Sequence, residues 1–460
     1  MVLRARDRQQ ATIDEMDLYG RAARQSLTHR NPVVVIPGIM GSRLVAGRGA
    51  RSIWGDFTEA HADPGEAEGI RLLALPMALG RPLDLLAGEG TTDGSLAELR
   101  CKFAGIPLKR RVYADVLEAM GVAGYQEIAM VERPEALPEE AADASAFEFD
   151  YDWRRSIDEN AIRLQRWLKQ LARFLRRNRP HREPLRFDVV AHSMGGLLLR
   201  YFLQYGGQLL PYDGSLPRPS WEGAAVIETA VLMGTPNGGS AQAIERLVGG
   251  MGFGGILPTY DPTVLGTMPS LYQLLPRARH GVVRHGETGA PLDPFDLETW
   301  VAMGWGLADP AAATMLERLL PGVDSPGERR RVALDHLQKC LAGAAALHRA
   351  LDGEPPGRPP HLGLHLFVGD TLPTAAEVAL SPGRREVRIT RRTPGDGVVT
   401  RASALLDERL GRPWTPRLLT PLRFDSVTFV PGNHLGITRD RTAIDNVLFL
   451  LLERPRGDEA

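Results

Sequence analysis

The segment Ala191-His192-Ser193-Met194-Gly195-Gly196 stands where an apolar, β-branched run, Leu185 to Ala191, gives way to an apolar helical pattern running from Gly196 to about Tyr205. A serine on a sharp strand-to-helix turn is held in a strained conformation with its hydroxyl above the sheet, the placement an oxygen nucleophile needs. Such a turn packs tightly, so small residues must stand two before and two after the serine. Here they are Ala191 and Gly195, a G-x-S-x-G pattern with Ala in first place. The chemistry would be attack of Ser193 on an acyl carbon. The N–H of Met194, in the positive field of a helix N-terminus, could donate to the resulting oxyanion. The plain alternative is a serine helix cap, but the succession of strand, serine, Gly-Gly and apolar helix favours the nucleophile.

A second oxyanion donor is expected from the loop after an early strand. Pro37-Gly38-Ile39-Met40-Gly41-Ser42 follows the run Val33 to Ile36 and carries glycines that let backbone approach a substrate. A serine nucleophile also needs a base, and the base an orienting carboxylate, in the chain order Ser, Asp, His. His434, in Gly432-Asn433-His434-Leu435-Gly436, lies between a late strand and the last helical pattern, where the base belongs. His361 and His365 flank or sit in a strand and read as structural. Two acids compete. Asp370 follows a strand immediately, whereas Asp396, flanked by Gly395 and Gly397, lies closer to His434 along the chain. Spacing leaves both open.

Other motifs have plainer readings. Asp152 and Arg154 in Tyr151-Asp152-Trp153-Arg154 are expected to form a buried ion pair or to bind loop carbonyls, because a buried charge persists only when paired. Gly250-Met251-Gly252-Phe253-Gly254-Gly255 matches G-x-G-x-x-G, yet it follows a helical segment where the dinucleotide fingerprint follows a strand, so it reads as a loop. No metal-ligand spacing such as His-Glu-x-x-His occurs, so no metal and no cofactor are implied.

The elements that must position these residues belong to a chain of 460 residues, 43% apolar and 24% charged, as expected of a folded protein. With 55 basic against 56 acidic side chains it lacks the cationic excess of a nucleic-acid binder, so no nucleic-acid partner is expected. The two cysteines, Cys101 and Cys340, are too few for a disulfide framework or a zinc site, and two reduced, buried thiols are expected. The opening MVLRARDRQQATIDEMDLYG has a basic start but no apolar run, so a cytoplasmic setting is the expectation. No apolar stretch approaches the roughly 20 residues of a transmembrane segment.

Val33 to Ile36, Phe147 to Trp153, Leu185 to Ala191 and Val226 to Met233 read as strands. Between them Ser156 and Glu159 form a capping box ahead of Ile157, Ala161, Leu164, Leu168, Leu171 and Leu175, an amphipathic helix that ends at Asn178-Arg179-Pro180. Alternation of strand and helix predicts a doubly wound, mostly parallel sheet in an α/β fold. The pattern breaks after Ser240. Residues 241–355 read as a mainly helical cap, strongest over Glu328 to Leu351. Strands resume at Leu364 to Val368, Glu386 to Ile389 and Val427 to Val430, before a helix over 441–453. The expected plan is an N-terminal extension, 1–28, read as a short helix; a first part of the core, 29–240, with a lid-like insertion at 42–110 and a helical pattern near Tyr113 to Met120; the cap, 241–355; and a second part of the core, 356–460. Within the insertion, Leu72 to Leu86 reads either as core or as an apolar lid or interfacial loop.

Taken together, VVVIPGIMGS, the IWG at Ile53 to Gly55, YDWR, AHSMGG, GTPNGGS at Gly234 to Ser240, PSLYQLLP at Pro269 to Pro276, GDGVV and NHLGI resemble the lecithin:cholesterol acyltransferase family of lipases and acyltransferases. They appear in family order from about residue 32 to 437. The resemblance implies an α/β-hydrolase fold with Ser193 as nucleophile, Asp396 as acid and His434 as base. The Ile39 and Met194 amides would form the oxyanion hole, and Trp54 would lie in the mobile lid region. It implies a lipid or acyl-ester substrate and O-acyl transfer through an acyl-serine. A plain carboxylesterase or lipase using water is the alternative, and a non-catalytic lipid-binding protein of the same fold a more distant one. The chain departs from the secreted animal members in lacking a visible signal peptide and a disulfide-ready set of cysteines.

Overall fold

The computed structural model describes residues 30–47, 51–57, 62–96, 98–103, 106–111, 127–128, 144–178, 183–252 and 259–455. The expectations for residues 1–28 and for a helix near Tyr113 to Met120 lie outside them.

A seven-stranded sheet forms the centre. Its strands are β1 (Val33–Ile36), β2 (Glu127–Ile128), β3 (Ala146–Glu148), β4 (Phe187–His192), β5 (Ile227–Met233), β6 (Gly363–Gly369) and β7 (Ser426–Val430). They run in the order β7-β6-β5-β4-β1-β3-β2, every neighbouring pair parallel. Every residue of β1, β4, β5 and β6 is buried, which is why these segments are near-continuous apolar runs rather than alternating ones. The sequence sets the amphipathic helix α2 (Ile157–Asn178) with the same logic as its capping box: the Ser156 hydroxyl donates to Glu159 Oε1 at 2.9 Å and accepts from the Glu159 N–H at 3.4 Å. Its apolar stripe packs on α3 (Met194–Tyr205), a helix buried on all sides. The long helix α5 (Pro326–Leu351) crosses behind α3, and α6 (Arg441–Leu452) covers the other face of the sheet beside β5 and β7.

Parallel strands bring their carboxyl ends to one edge. Ile36 pairs with Ala191 and His192 with Met233, so the loops after β1, β4 and β5 leave side by side. That edge is where ligands bind in open α/β sheets.

Several segments differ from the sequence reading. Glu386 to Ile389, expected as a core strand, belongs to Val387–Gly395, which pairs antiparallel with Leu372–Leu380 in a separate sheet. Val283–His285, inside the mainly helical stretch 241–355, adds to the other edge of that sheet. Three residues are too few to show alternation, so this strand had no periodic signal. Tyr151 and Trp153, expected in a strand, lie just past the end of β3 and are buried as a loop. Met251–Gly252, within the G-x-G-x-x-G stretch, pairs antiparallel with Thr259–Tyr260. The insertion carries small sheets, one of them Arg51–Trp54, Ser42–Ala46 and Thr91–Ser95, and the short helix α1 (Ala67–Leu73).

Leu72, Leu73 and Met77 are buried in the main core and Leu75 and Leu86 are also buried, while Leu79 and Leu85 are exposed. The first part of this apolar segment is therefore core, not lid. Arg154 explains why. Its guanidinium, 0% exposed, holds the Leu72 and Leu73 carbonyls at 2.8 and 3.0 Å and forms a bidentate pair with Asp152 through two 2.9 Å bonds. Burial alone would raise the Asp152 carboxyl, but the adjoining Arg154 charge and hydrogen bonds hold it below its ordinary range. The bond from the Leu75 N–H to Thr267 Oγ1 at 3.0 Å ties the same segment to the far side of the chain. Cys340 is a free, buried thiol in α5.

Candidate active site

Ser193 closes β4 and opens α3 with φ 54° and ψ −124°, a conformation few L-residues adopt. Close packing enforces it. A Cβ on Gly195 would lie 2.4 Å from the Pro37 carbonyl oxygen, and one on Gly196 would lie 1.9 Å from Thr235 Oγ1. Only glycine fits at either place. The Ser193 hydroxyl makes no helix-cap bond. It instead donates to His434 Nε2 at 2.8 Å, and His434 Nδ1–H donates to Asp396 Oδ2 at 2.7 Å. The ordinary cap reading of this serine is thereby set aside.

Asp396 is anchored through its other oxygen. Oδ1 accepts the Val398 and Val399 N–H groups at 2.9 and 2.7 Å, a turn that requires Gly397 at φ +91°. Burial pushes the Asp396 carboxyl up, but His434 and these two amides more than offset it, leaving the group below its ordinary range and ionised. An ionised acceptor fixes the His434 tautomer with its proton on Nδ1, so Nε2 is free to accept from serine.

The two competing acids are now separated. Asp370 follows β6, as the generic order predicts, but its carboxylate lies 3.6 Å from Arg401. The chain then runs out and back through Leu372–Leu380 and Val387–Gly395, which returns Asp396 to the end of β6. There it lies against Gly369, where a Cβ would come within 2.6 Å of the Asp396 Cβ. The hairpin moves the acid along the chain without moving it in space.

Ser193, His434 and Asp396 open into a cavity of about 430 Å³, whose wall includes Ile39, Leu271, Leu274 and Leu435. Ile39 stands in the turn closed by the Gly41 N–H to the Gly38 carbonyl, 3.0 Å, with Met40 at φ 62°. Met194 is the first residue of α3, and its N–H belongs to the group a helix cannot satisfy internally. Trp54, expected in the lid region beside the substrate, is a buried part of the cavity wall. It is 3% exposed, its indole N–H donates to the Met40 carbonyl at 2.8 Å, and its ring meets Trp153 edge-on at 5.6 Å.

Three contributors escaped the sequence reading. His192 is buried beside His434, its ring 4.8 Å away, and its Nε2–H donates to the His434 carbonyl at 2.9 Å. Burial first, then the neighbouring His434, lowers its pKa to about 3, so it acts as a neutral support. Gln242 and Arg246 also line the cavity from α4 (Ala241–Gly249). Their i, i+4 spacing was visible, but nothing in the sequence aims that helix face at Ser193.

A parallel sheet with a serine elbow after β4 and a histidine after its last strand defines an α/β-hydrolase. Residues 108–288 match the family model of Lecithin:cholesterol acyltransferase, and over that stretch the chain is similar to this family. That likeness supports an enzyme of acyl-ester chemistry, a hydrolase or an acyltransferase. Among solved structures, a chain of the Tle4–Tli4 complex is 13% identical and covers 93% of this chain and 98% of its own, with a TM-score of 0.52. It shares the fold. Weaker likenesses are lipase 1 from Pelosinus fermentans, 12% identical over 93% of this chain and 100% of that one at TM-score 0.32, and the Bacillus licheniformis lipase BlEst2 in its propeptide form, 11% identical over 69% and 45% at TM-score 0.30. No curated protein matches the chain. Among the described residues, no helix is long and apolar enough to cross a membrane.

Proposed function

We propose that the protein is a serine-dependent lipase and O-acyltransferase that takes the acyl group of a lipid ester onto Ser193 and passes it to an alcohol or to water. The observation that carries this reading is the hydrogen-bond chain Ser193–His434–Asp396, with distances of 2.8 and 2.7 Å, at the mouth of an apolar cavity.

Ser193 Oγ forms a bond to the ester carbon while its proton moves to His434 Nε2. The carbonyl π pair becomes an oxyanion, which the Ile39 and Met194 N–H groups receive. Asp396 stays ionised and stabilises the imidazolium. Return of the electron pair re-forms the carbonyl and breaks the bond to the alcohol, which leaves with the proton from Nε2. An incoming hydroxyl gives its proton to His434 and attacks the acyl-serine, and Ser193 departs with that proton. The leaning towards lipid rests on the apolar cavity wall, which suits an acyl chain. Transient contact with a lipid surface is part of the same reading.

A fluorophosphonate probe tests it. The wild-type chain should take one equivalent of label and Ser193→Ala none, with little change in melting temperature. Undiminished labelling of the variant defeats the reading. Product analysis with a phospholipid donor, with and without a long-chain alcohol, separates transfer from hydrolysis.

A further inference from the structure

Among the described cavity residues, Arg246 is the one charged side chain that is neither part of the hydrogen-bond chain nor held by another described group. Helix α4 turns Ala241, Ala243, Ile244, Leu247 and Val248 inward, and presents Gln242 and Arg246, one turn apart, to the cavity. Three fully buried arginines, by contrast, are engaged. Arg154 is held by Asp152, Arg200 by Asn237 Oδ1 and the Leu351 carbonyl at 2.9 and 2.6 Å, and Arg277 by Asp352 at 2.8 Å. Arg246 makes no hydrogen bond or ion pair with any described residue. Burial lowers it to about 10, against which only the charge of its neighbour Glu245 acts in the other direction.

A partly desolvated cation with no direct ion pair is costly, and a planar guanidinium fork matches the two oxygens of a phosphate or carboxylate. The rest of the wall is largely apolar, so an anionic group entering with an acyl ester meets Arg246 as its strongest partner.

We propose that Arg246, assisted by Gln242, recognises an oxyanion carried by the ester substrate, a phosphodiester or a carboxylate, and so selects anionic over neutral acyl donors. This rests on the acyl-ester reading of the Ser193 site and names its substrate class.

Binding can be measured apart from turnover, in full-length protein carrying Ser193→Ala. Its ligands would be short-chain phosphatidylglycerol, a fatty-acid hemiester with a terminal carboxylate, and, as the neutral reference, short-chain diacylglycerol. The expected result is a preference for one or both anionic ligands that falls about tenfold or more on adding Arg246→Gln and is partly restored by Arg246→Lys. Loss confined to phosphatidylglycerol assigns the phosphate of a lipid headgroup, and loss confined to the hemiester assigns the carboxylate. An unchanged preference, or equal weakening for the neutral ligand, overturns the proposal. Failure of the acyl-ester reading looks different: Ser193 stays unlabelled and no ester turns over, while the binding preference still reports on Arg246.

Discussion

Tyr151 donates its hydroxyl to the Pro37 carbonyl at 2.9 Å, joining the loop after β3 to the loop that would cradle an oxyanion. The same loop is held at three further points. Ser42 Oγ accepts the Tyr151 N–H at 3.1 Å, the Ser42 carbonyl accepts the Trp153 indole N–H at 3.2 Å, and the Met40 carbonyl accepts that of Trp54. Donors aimed at an oxyanion are effective only if already in place when charge develops. The aromatic residues of the YDW segment thus position Ile39 without touching the substrate.

Tyr151→Phe keeps the ring and removes one bond. A net loss of about 1 kcal/mol in stability is expected. The larger effect should fall on kcat for a soluble ester, several-fold down with KM little moved, because the freed loop is needed most in the transition state. A fall in melting temperature with kcat intact would mean that the bond serves only the fold.

Asp396→Asn and Asp370→Asn make a paired test of the acid. Asparagine at 396 cannot stabilise the imidazolium and can present the wrong hydrogen-bonding group to His434, so kcat should fall by about 10⁴. At 370 the change removes only a part-exposed contact with Arg401 and should leave activity within about twofold, as surface ion pairs contribute little. Steady-state kinetics on one ester settles the comparison, and equal losses would overturn the assignment of Asp396.

Much of this arrangement was legible in the chain, for identifiable reasons. β1, β4, β5, β6 and β7 are apolar runs bounded by turn residues, and the Ser193 elbow needs small neighbours that leave a readable pattern. Asp396 was a different matter, since the hairpin 372–395 carries it away from its strand and only folding returns it. Family likeness, not spacing, pointed to it. Arg246 left no trace because its role depends on which face of α4 turns towards the cavity. The segment from Leu72 to Leu86 stayed open between core and lid because composition cannot reveal that Arg154, far along the chain, binds its carbonyls.

Those leucines give a stability test. Leu73→Ala should cost about 2–5 kcal/mol by emptying a packed site, lowering the melting temperature and all activities together. Leu79→Ser, at a residue 50% exposed, should stay within about 0.5 kcal/mol. Thermal unfolding of both variants checks this. Equal stability of the two would mean that the segment leaves the core.

His336 provides a test in pH. Its Nε2–H donates to the Thr267 carbonyl at 3.0 Å, while Nδ1 is buried with no partner among the described residues. A proton added to Nδ1 would have nothing to bond to, and burial accordingly lowers the group from 6.5 to about 4. The unfolded chain takes up this proton below about pH 6.5, whereas the folded one resists until about pH 4. The neutral histidine's contribution is therefore complete above pH 6.5 and is lost progressively as pH falls through that window. His336→Gln can keep the bond to Thr267 through its amide N–H and has no proton to gain. Its unfolding free energy, measured by denaturant titration from pH 7 to pH 4, should fall less steeply than that of the wild type by up to about 1.4 kcal/mol per pH unit. Parallel curves would show that His336 is protonated in the folded protein, and that Nδ1 finds a partner.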